Sequence, residues 1–377
     1  MTDYRQFPSP CYVVDESRFR RNLALIQSVA QSSGAEIILA FKAFALWKLF
    51  PIVREYIGAS TASSLAEARL AYEEMGAPAH TFAPVYREDE FDAIAACSSH
   101  ITFNSLAQYT KYAQRCRQAG ISCGLRCNPE LSLVETDLYN PCVQGSRLGV
   151  PPAQLPDRLP EGIEGLHFHC LCESSAADSE SLIARVEERF GQYLPALRWV
   201  NFGGGHLMTR EGYEVDRLVD AIRAFRSRHP HLRVILEPGS AFAWRVGELV
   251  STVQDVVENG GVRTAMLDVS FACHMPDCLE MPYQPSIMGA KPAEGAAYVY
   301  RMGGNSCLSG DYVGDWGFDA PLQAGDRIVF EDMIHYTTVK TLMFNGVSHP
   351  SIGVVRLDGR FELLRSYSYE DYKNRMD

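Results

Sequence analysis

The 377-residue sequence has no apolar run of membrane-spanning length, and residues 1–10 lack the apolar core of a signal peptide. It also has no excess of positive charge, because 35 Lys and Arg residues stand against 46 Asp and Glu residues, for a net charge of −11. A protein that binds phosphate backbones needs a basic face, which argues against a nucleic-acid partner. We therefore expect no nucleic-acid or membrane partner, and the acidic balance is compatible with a small cationic substrate.

No Cys-x-x-Cys pair occurs among the eleven cysteines. Without a secretion signal, these cysteines indicate a reducing, cytoplasmic location rather than a disulfide framework. One segment, residues 273–278, places His274 between two cysteines, but it lacks the ligand spacing of a zinc site. We therefore expect no metal.

About eight strand-like segments alternate with helix-like segments between residues 35 and 240. This alternation predicts an α/β fold with a (β/α)8 TIM-like barrel, and an open doubly wound sheet is the alternative. After residue 238, strand patterns separated by Gly, Pro and Asp predict a mostly antiparallel β domain. The expected domains are a barrel of residues 28–239 and a β-rich domain of residues 240–377, completed by an N-terminal strand in residues 1–27. Residues 128–160, rich in Pro and Gly, predict a long loop.

A lysine, Lys42, closes the apolar run of residues 37–41, which is typical of a doubly buried parallel strand. Burying a lysine is costly because its charge loses water. Lys42 could simply extend to solvent at the barrel rim. Alternatively, desolvation lowers its pKa so that it can form a Schiff base with a carbonyl cofactor.

Three other features fall at the carboxyl ends of barrel strands, where the chemistry of such barrels lies. His169 ends the sixth strand, Gly203–Gly205 follow the seventh, and Glu237 ends the eighth, shortly before Gly239. Separately, they could be a structural histidine, a flexible turn and a satisfied turn carboxylate. Together with Lys42 they describe a pyridoxal phosphate site: an amine, a stacking ring, N–H groups for a phosphate, and an acid facing the pyridine nitrogen.

The β-rich half contains a second set of candidates. Cys307 lies in a turn-rich segment, residues 304–311, and a thiol can donate a proton near neutral pH. Asp277, Asp311 and Asp315 could bind a cationic substrate tail, and the Tyr336 hydroxyl could reach a phosphate. The structural alternative for the cysteine segment is a loop with a buried thiol.

These motifs resemble the alanine-racemase-like, fold type III pyridoxal phosphate decarboxylases, which include the ornithine/arginine and diaminopimelate decarboxylases. The resemblance covers nearly the whole chain and rests on residues 40–43, 165–169, 203–205, 237–239 and 304–311. Arg126 and residues 146–149 also match family positions. The resemblance implies pyridoxal 5'-phosphate as cofactor and a homodimer in which the Cys307 loop crosses the interface, so that two chains build each site.

Within this family, residues 41–44, 60–67, 274–277 and 307–315 are similar to the decarboxylases of polyamine-like substrates in polyamine biosynthesis. The implied catalytic residues are Lys42, His169 and Cys307. The implied cofactor-binding residues are Lys42, His169, Gly203, Gly204, Gly205, Glu237, Gly239 and Tyr336. The implied substrate-binding residues are Arg126, Glu237, His274, Asp277 and Asp311.

Four positions depart from the ornithine and diaminopimelate members, and one of them is Thr61 or Ser60, where an aspartate supports the stacking histidine. Leu308 replaces the aspartate that binds the distal amine in ornithine decarboxylases, which argues against a short substrate that yields a diamine. Ser240 and Cys172 replace an arginine and a serine near the phosphate. The alternatives are another amino-acid enzyme of this fold, such as a diaminopimelate or ornithine decarboxylase or a racemase, and a pyridoxal phosphate-binding protein without catalysis. The Cys307 loop and the β-rich domain argue against the last.

Overall fold

The computed structural model describes residues 3–134 and 136–377. Met1 and Thr2 of the polar N-terminal segment and Glu135 of the expected long loop lie outside the described residues. The chain forms two compact units, one of residues 21–242 and one that joins the residues up to 20 with residues 243–377. The domain boundaries after residues 27 and 239 stay a prediction.

Strand β1 (Cys11–Asp15) leads directly into helix α1 (Glu16–Ser33). The elements that follow, up to residue 243, are β2 (Glu36–Ile37), β3 (Leu39–Ala40), α2 (Phe50–Arg54), β4 (Ser60–Ala62), α3 (Leu65–Leu70), β5 (Ala79–Phe82), α4 (Phe91–Ala96), β6 (Ser98–Phe103), α5 (Leu106–Gln118), β7 (Ser122–Arg126), β8 (Ile163–His167), α6 (Ala176–Phe190), β9 (Trp199–Asn201), α7 (Val215–Arg228), β10 (Arg233–Leu236) and α8 (Ser240–Ala243). Strands β2 to β10 form one parallel sheet in the order β2-β10-β9-β8-β7-β6-β5-β4-β3.

Hydrogen bonds of the first barrel segment close this sheet into a barrel. The Ile38 N–H donates to the Leu236 carbonyl at 2.9 Å, beside β10, and the Leu39 N–H donates to the Ala59 carbonyl at 3.2 Å, beside β4. Strands β2 and β3 are therefore two parts of one strand, so the barrel has eight strands. The predicted (β/α)8 fold is confirmed, and the closure excludes the open sheet.

The helices cover the barrel through one apolar face. In α7, Leu218, Ile222 and Phe225 are fully buried and are spaced four and three residues apart, as one face of a helix requires. Each such side chain contributes about 1.5–3 kcal/mol by leaving water. This packing fixes the strands whose carboxyl ends bear the candidate site.

The remaining elements are β11 (Gly247–Asn259), β12 (Val262–Leu267), α9 (Phe271–His274), α10 (Asp277–Glu280), β13 (Lys291–Pro292), β14 (Tyr298–Gly303), β15 (Tyr312–Phe318), β16 (Arg327–Phe330), β17 (Ser351–Val355), β18 (Phe361–Arg365) and α11 (Tyr369–Met376). Their sheet has the order β13-β15-β14-β12-β11-β1-β17-β18, with β16 also paired to β11. The β1–β17 and β12–β14 pairings are parallel and the other strand pairings described are antiparallel. The predicted, mostly antiparallel β domain with an N-terminal strand is therefore present in this unit.

Local predictions needed three corrections. The pattern of residues 46–56 predicts a helix interrupted by Pro51, and the structure has a 3-10 turn followed by α2, where Pro51 lies in the first turn and needs no N–H partner. The pattern of residues 352–364 predicts one strand, but the structure has the β17–β18 hairpin, turning at Gly359, whose φ is +81°. Strand β15 was missed because Gly314, Asp315 and Gly317 dilute its strand signal. Among the described residues, no helix combines the length and the apolar character needed to span a bilayer.

Candidate active site

Lys42 lies in a turn at the carboxyl end of the barrel, two residues beyond β3 rather than on the strand. Its side chain is accessible to solvent, yet protein atoms surround the amine. This burial, followed by the positive charge of Arg126, lowers the pKa of the Lys42 amine. Its Nζ lies 3.1 Å from Nε2 of His169. Two of the predicted site residues are thus within hydrogen-bond distance.

His169 lies two residues beyond β8, which ends at His167. Its Nδ1 accepts the main-chain N–H of Gly204 at 2.8 Å, and its carbonyl oxygen accepts a hydrogen bond from Nη2 of Arg126 at 3.2 Å. Burial holds the pKa of His169 well below its usual value. The ring is therefore a neutral imidazole near pH 7, held in a defined orientation, and its stacking on a cofactor stays a prediction.

Glu237 follows β10 directly, and its carboxylate is buried. Oε1 accepts a hydrogen bond from Nδ2 of Asn201 at 2.6 Å, and Oε2 lies 3.2 Å from Nε2 of His167. Burial alone would raise the pKa of Glu237, but the interactions with His167 and Asn201 outweigh it and lower the pKa to about 2. Burial also lowers the pKa of His167. At pH 7 the pair is thus a carboxylate and a neutral imidazole that donates from Nε2.

The three glycines after β9 form a tight cradle. Gly203 and Gly205 have φ values of +69° and +94°, where a side chain is strained. A Cβ at Gly204 would lie 2.5 Å from the Glu237 carbonyl oxygen, and one at Gly205 would lie 2.3 Å from the Leu171 carbonyl carbon. The N–H of Gly203 already donates to Oδ1 of Asn201 at 2.8 Å, and that of Gly204 donates to His169. Two N–H groups of the predicted phosphate site therefore hold site residues in this structure.

Gly239 and Arg126 support the same rim. A Cβ at Gly239 would lie 2.5 Å from the Cβ of Ala43, so only glycine allows residue 239 to pack against the turn that carries Lys42. Arg126 ends β7, is 5% exposed, and places its guanidinium 4.6 Å from the ring centroid of Phe82. Burial lowers the pKa of Arg126 to about 10, and it remains a cation at neutral pH. A buried cation beside Lys42 attracts an anion such as a carboxylate.

Sequence reasoning missed two residues that hold Glu237. It did not place His167 beside Glu237, although the period of two of β8, continued past its end, relates His167 to His169. It gave Asn201 no role. Asn201 ends a buried strand, so its polar side chain needed a partner, and that requirement is the signal that could have identified it. Together these residues keep a buried carboxylate ionised.

The residues at the barrel rim have the chemical groups that pyridoxal phosphate requires. It presents an amine with a lowered pKa at Lys42, a neutral ring at His169 and an ionised carboxylate at Glu237. The space left by Gly204, where a Cβ would lie 3.1 Å from Cε1 of His169, keeps the backbone open beside the histidine ring. The phosphate contacts beyond the glycines stay a prediction, as does the role of Tyr336.

In the other unit, the Cys307 loop (residues 304–311) is held by its own carboxylate. Asp311 is 5% exposed and accepts hydrogen bonds from the N–H and Oγ of Ser306 and from the N–H of Ala272. The Cys307 N–H donates to Oδ1 of Asn345 at 2.8 Å, and the side chain of Cys307 is exposed. The structural alternative of a buried thiol is therefore wrong. Asp311 orders the loop, and its predicted contact with a substrate stays a prediction.

The remaining candidates of this unit are also engaged. Asp277 and Glu280 form ion pairs with Lys340, so Asp277 is partly neutralised by a neighbour. His274 is fully buried, and its Nδ1 accepts the Ser270 N–H at 3.1 Å. Burial lowers the pKa of His274 to about 4. For both predicted substrate-binding residues, contact with a substrate stays a prediction.

Tyr336 has a strained backbone, with φ +53° and ψ −48°. The Thr337 N–H donates to the His335 carbonyl across it, which forms a γ-turn with positive φ. Such strain persists only where the surroundings enforce it, and it concentrates at functional sites. This observation is compatible with the predicted phosphate contact of the Tyr336 hydroxyl.

Across residues 3–134 and 136–377, no group of three or more His, Cys, Asp or Glu side chains is arranged to hold a metal ion.

A family model described as pyridoxal-dependent decarboxylase, C-terminal sheet domain, matches residues 11–334. Because the match covers most of the sequence, the chain belongs to the pyridoxal-dependent decarboxylases. It is a pyridoxal phosphate-dependent carboxy-lyase, and the predictions of family, cofactor and enzyme class are confirmed.

Particular members of this family are similar over their full length. The carboxyaminopropylagmatine decarboxylase of Synechocystis sp. is 53% identical over 98% of this chain and 95% of its own. The carboxynorspermidine/carboxyspermidine decarboxylase of Campylobacter jejuni is 40% identical over 99% of both. The crystal structure of Campylobacter jejuni carboxynorspermidine decarboxylase with norspermidine matches with a TM-score of 0.91 and 39% identity, over 98% of this chain and 100% of that chain. Diaminopimelate decarboxylase from Helicobacter pylori, with a TM-score of 0.82 and 17% identity over 99% of this chain and 98% of that chain, shows the fold alone.

Proposed function

We propose that this protein decarboxylates carboxynorspermidine or carboxyspermidine to norspermidine or spermidine, in polyamine biosynthesis. The observation that carries this proposal is the full-length match, with a TM-score of 0.91, to a carboxynorspermidine decarboxylase complexed with norspermidine. The aliphatic Leu308 beside Cys307 supports a long substrate over one that yields a short diamine.

A second candidate substrate is carboxyaminopropylagmatine. The Synechocystis relative, which is 53% identical to this chain, is named as the decarboxylase of that compound. Both candidates are α-amino acids with a long cationic tail. They differ at the far end, which is an ammonium group in the polyamines and a planar guanidinium in agmatine. A planar guanidinium binds carboxylates in a bidentate manner, whereas an ammonium acts as a point charge. A pocket shaped for one of these groups therefore discriminates against the other.

In this proposal, different barrel residues bind different parts of the cofactor and the substrate. Lys42 would hold pyridoxal phosphate through its amine, with His169 against the flat ring, Gly203–Gly205 and Gly239 beside the phosphate, and Glu237 at the ring nitrogen. When bound, the cofactor supplies a sink for the electron pair left as the bond between the α-carbon and the carboxylate breaks. Glu237 stays ionised near pH 7, so it can hold a proton on the nitrogen that faces it. Arg126 supplies the positive charge that orients the substrate carboxylate.

The other unit supplies the remaining groups in this proposal. The thiol of Cys307 returns a proton to the α-carbon, and the amine of Lys42 is the alternative donor. Asp277 and Asp311 form the acidic surroundings of the cationic tail, and His274 supports them from the interior. The Tyr336 hydroxyl binds the phosphate.

The deciding experiment offers carboxynorspermidine, carboxyspermidine and carboxyaminopropylagmatine separately to the holoenzyme, with CO2 and the product amine quantified. We expect kcat/KM for the preferred tail to exceed that for the other tail type by about tenfold or more. A preference for the guanidino compound would replace the first candidate with the second. Turnover of diaminopimelate or ornithine alone would contradict both.

A Lys42→Ala variant tests the cofactor assignment. The variant should lose the visible absorbance band of the protein-bound cofactor and at least about 10³ of kcat, because no other group replaces the amine. Lys373→Ala, at an exposed helix position, is the matched control and should keep both. Normal turnover by the Lys42 variant would refute the mechanism.

We also propose a homodimer in which two chains complete each site. The exposed side chains of Leu308, Tyr312 and Phe344 support this proposal, because they place apolar surface around the exposed Cys307 loop. With Cys307 as the proton donor, the Lys42→Ala and Cys307→Ala proteins are each inactive. Mixing them should restore up to about a quarter of wild-type activity, since half of the chains pair with the other variant and each mixed dimer has one intact site. No recovery, with a monomer in sedimentation, would refute the shared site.

We place the protein in the cytoplasm. None of the eleven cysteines, all of which lie in the described residues, forms a disulfide, and Cys307 is exposed, which suits a reducing compartment. Cell fractionation with an antibody against the full chain tests this location.

A further inference from the structure

Both ring nitrogens of His169 are engaged, and their partners define where the ring proton lies. Nδ1 is 2.8 Å from the Gly204 nitrogen, whose N–H can only donate. Nδ1 is therefore the acceptor. A neutral imidazole carries one proton, so that proton must be on Nε2.

The proton on Nε2 determines the state of Lys42. Nε2 lies 3.1 Å from Nζ of Lys42. An ammonium at this distance would point a second donor at an N–H, and no hydrogen bond could form. A neutral amine has a lone pair that accepts the N–H. The pair is satisfied only when Lys42 is uncharged.

The surroundings of the amine agree with this assignment. The burial of the site and, after it, the positively charged Arg126 lower the pKa of Lys42, whereas Glu237, Cys172 and Glu67 oppose the shift. The shift remains downward, and these groups lie on four different parts of the barrel unit: β7, the loop after β8, the residue after β10, and α3.

We propose that His169, oriented by the main-chain N–H of Gly204, is a positioning residue that holds Lys42 as an uncharged amine in the cofactor-free protein. The inference rests on the proposed role of Lys42 as the residue that binds the cofactor. An uncharged amine bonds to an aldehyde carbon through its lone pair, and its two protons leave with the aldehyde oxygen as water. An ammonium must first lose a proton. At pH 7 only about 0.04% of an ordinary lysine, with a pKa of 10.4, is in the uncharged, reactive form. The two hydrogen bonds that link Gly204, His169 and Lys42, here called the Gly204–His169–Lys42 relay, remove the need for this proton loss.

The test measures the protonation of Lys42 directly in the full-length, cofactor-free protein. Trace labelling with acetic anhydride between pH 6 and pH 11, followed by mass spectrometry, gives a labelling profile for each lysine. We expect the Lys42 profile to lie at least about one pH unit below that of the exposed Lys373, a tenfold gain in free amine at pH 7. The pH profile is the readout, because steric shielding changes the rate but not the midpoint.

Two substitutions separate the hydrogen bond from simple packing. His169→Leu fills the position with an apolar side chain and removes the donor. It should move the Lys42 midpoint up by about one pH unit. His169→Gln keeps an N–H at similar reach and should restore most of the shift. If wild-type Lys42 titrates like Lys373, or if the leucine and glutamine variants titrate like wild type, the proposal is wrong.

The same samples show which idea has failed. Added pyridoxal phosphate should protect Lys42 from labelling and produce a visible band. If Lys42 is not protected, the proposed function fails. If Lys42 is protected but its wild-type midpoint is that of an ordinary lysine, only the relay fails.

Discussion

Glu237 shows how one residue can keep a charge in a barrel interior. Two neighbours, Asn201 and His167, donate to its two oxygens, so the free-energy cost of losing water is offset by hydrogen bonds made only by the ionised form. Such a carboxylate is a fixed negative charge at neutral pH, and it does not depend on small changes in the medium.

Replacing Glu237 with Gln should therefore lower kcat by about 10² or more, because the amide keeps the volume but removes the charge that we propose faces the ring nitrogen of the cofactor. The measurement is steady-state decarboxylation together with cofactor affinity by spectroscopic titration. Glu161→Gln changes an exposed glutamate of the same unit and serves as the control. Equal losses in the two variants would mean that the charge of Glu237 has no special role.

Membership of the candidate site could be predicted from the sequence where a residue type is unusual for its place. Lys42, His169 and Glu237 are polar residues at the ends of apolar strands, so their positions alone raised the question of chemistry. His167 and Asn201 escaped because their importance lies in a contact between β8, β9 and the residue after β10, which no local pattern encodes. The contact of Asp311 with the N–H of Ala272 escaped for the same reason, since the two residues lie far apart in sequence.

At the scale of elements, the glycine loop after β9 combines backbone strain with crowding. Gly205 and Gly212 both have positive φ, +94° and +77°, but a Cβ would clash with Leu171 at residue 205 and meet open space at residue 212. The two positions form a matched pair that separates crowding from conformation.

Gly212→Ala should cost about 1–2 kcal/mol of unfolding free energy, from the left-handed conformation alone. Gly205→Ala should cost clearly more and also weaken cofactor binding, since the loop must shift. Denaturant unfolding and cofactor titration measure both effects. Equal costs at the two positions would show that the cradle is tolerant of a methyl group.

The Cys307 loop depends on a carboxylate for its shape. Asp311→Asn keeps one acceptor oxygen but replaces the oxygen that receives both hydrogen bonds from Ser306, so the loop should lose about 1–3 kcal/mol of stability. The thiol of Cys307 should then react faster with a thiol reagent. Asp319→Asn, at an exposed ion pair with Lys291, should change neither quantity appreciably.

At the scale of the whole molecule, buried neutral histidines make stability sensitive to acid. Burial lowers the pKa of His206 and of His274 to about 4, and also lowers that of His80 and His167. Below about pH 6.5 the unfolded chain takes up protons that the folded chain cannot, so stability falls with pH until the folded pKa is reached. For His206 this amounts to roughly 3 kcal/mol between pH 6.5 and pH 4.

His206→Gln removes one such group. The unfolding free energy of the variant should fall less steeply between pH 6.5 and pH 4, by up to about 1.4 kcal/mol per pH unit, which is the contribution of one proton. Denaturant titrations at pH 7, 6 and 5 measure the slope. An unchanged slope would mean that His206 is protonated as easily in the folded chain as in the unfolded one.

The split first strand also has a consequence for how the protein is made. Lys42 leaves the ribosome early, but β2 can pair only after β10 has been synthesised, and Glu237 follows β10 directly. A nascent chain or a fragment that ends before β10 therefore carries Lys42 without the barrel closure and without the carboxylate of Glu237. Under the proposed role of Lys42, such a fragment should not retain pyridoxal phosphate, so cofactor binding should follow completion of the barrel.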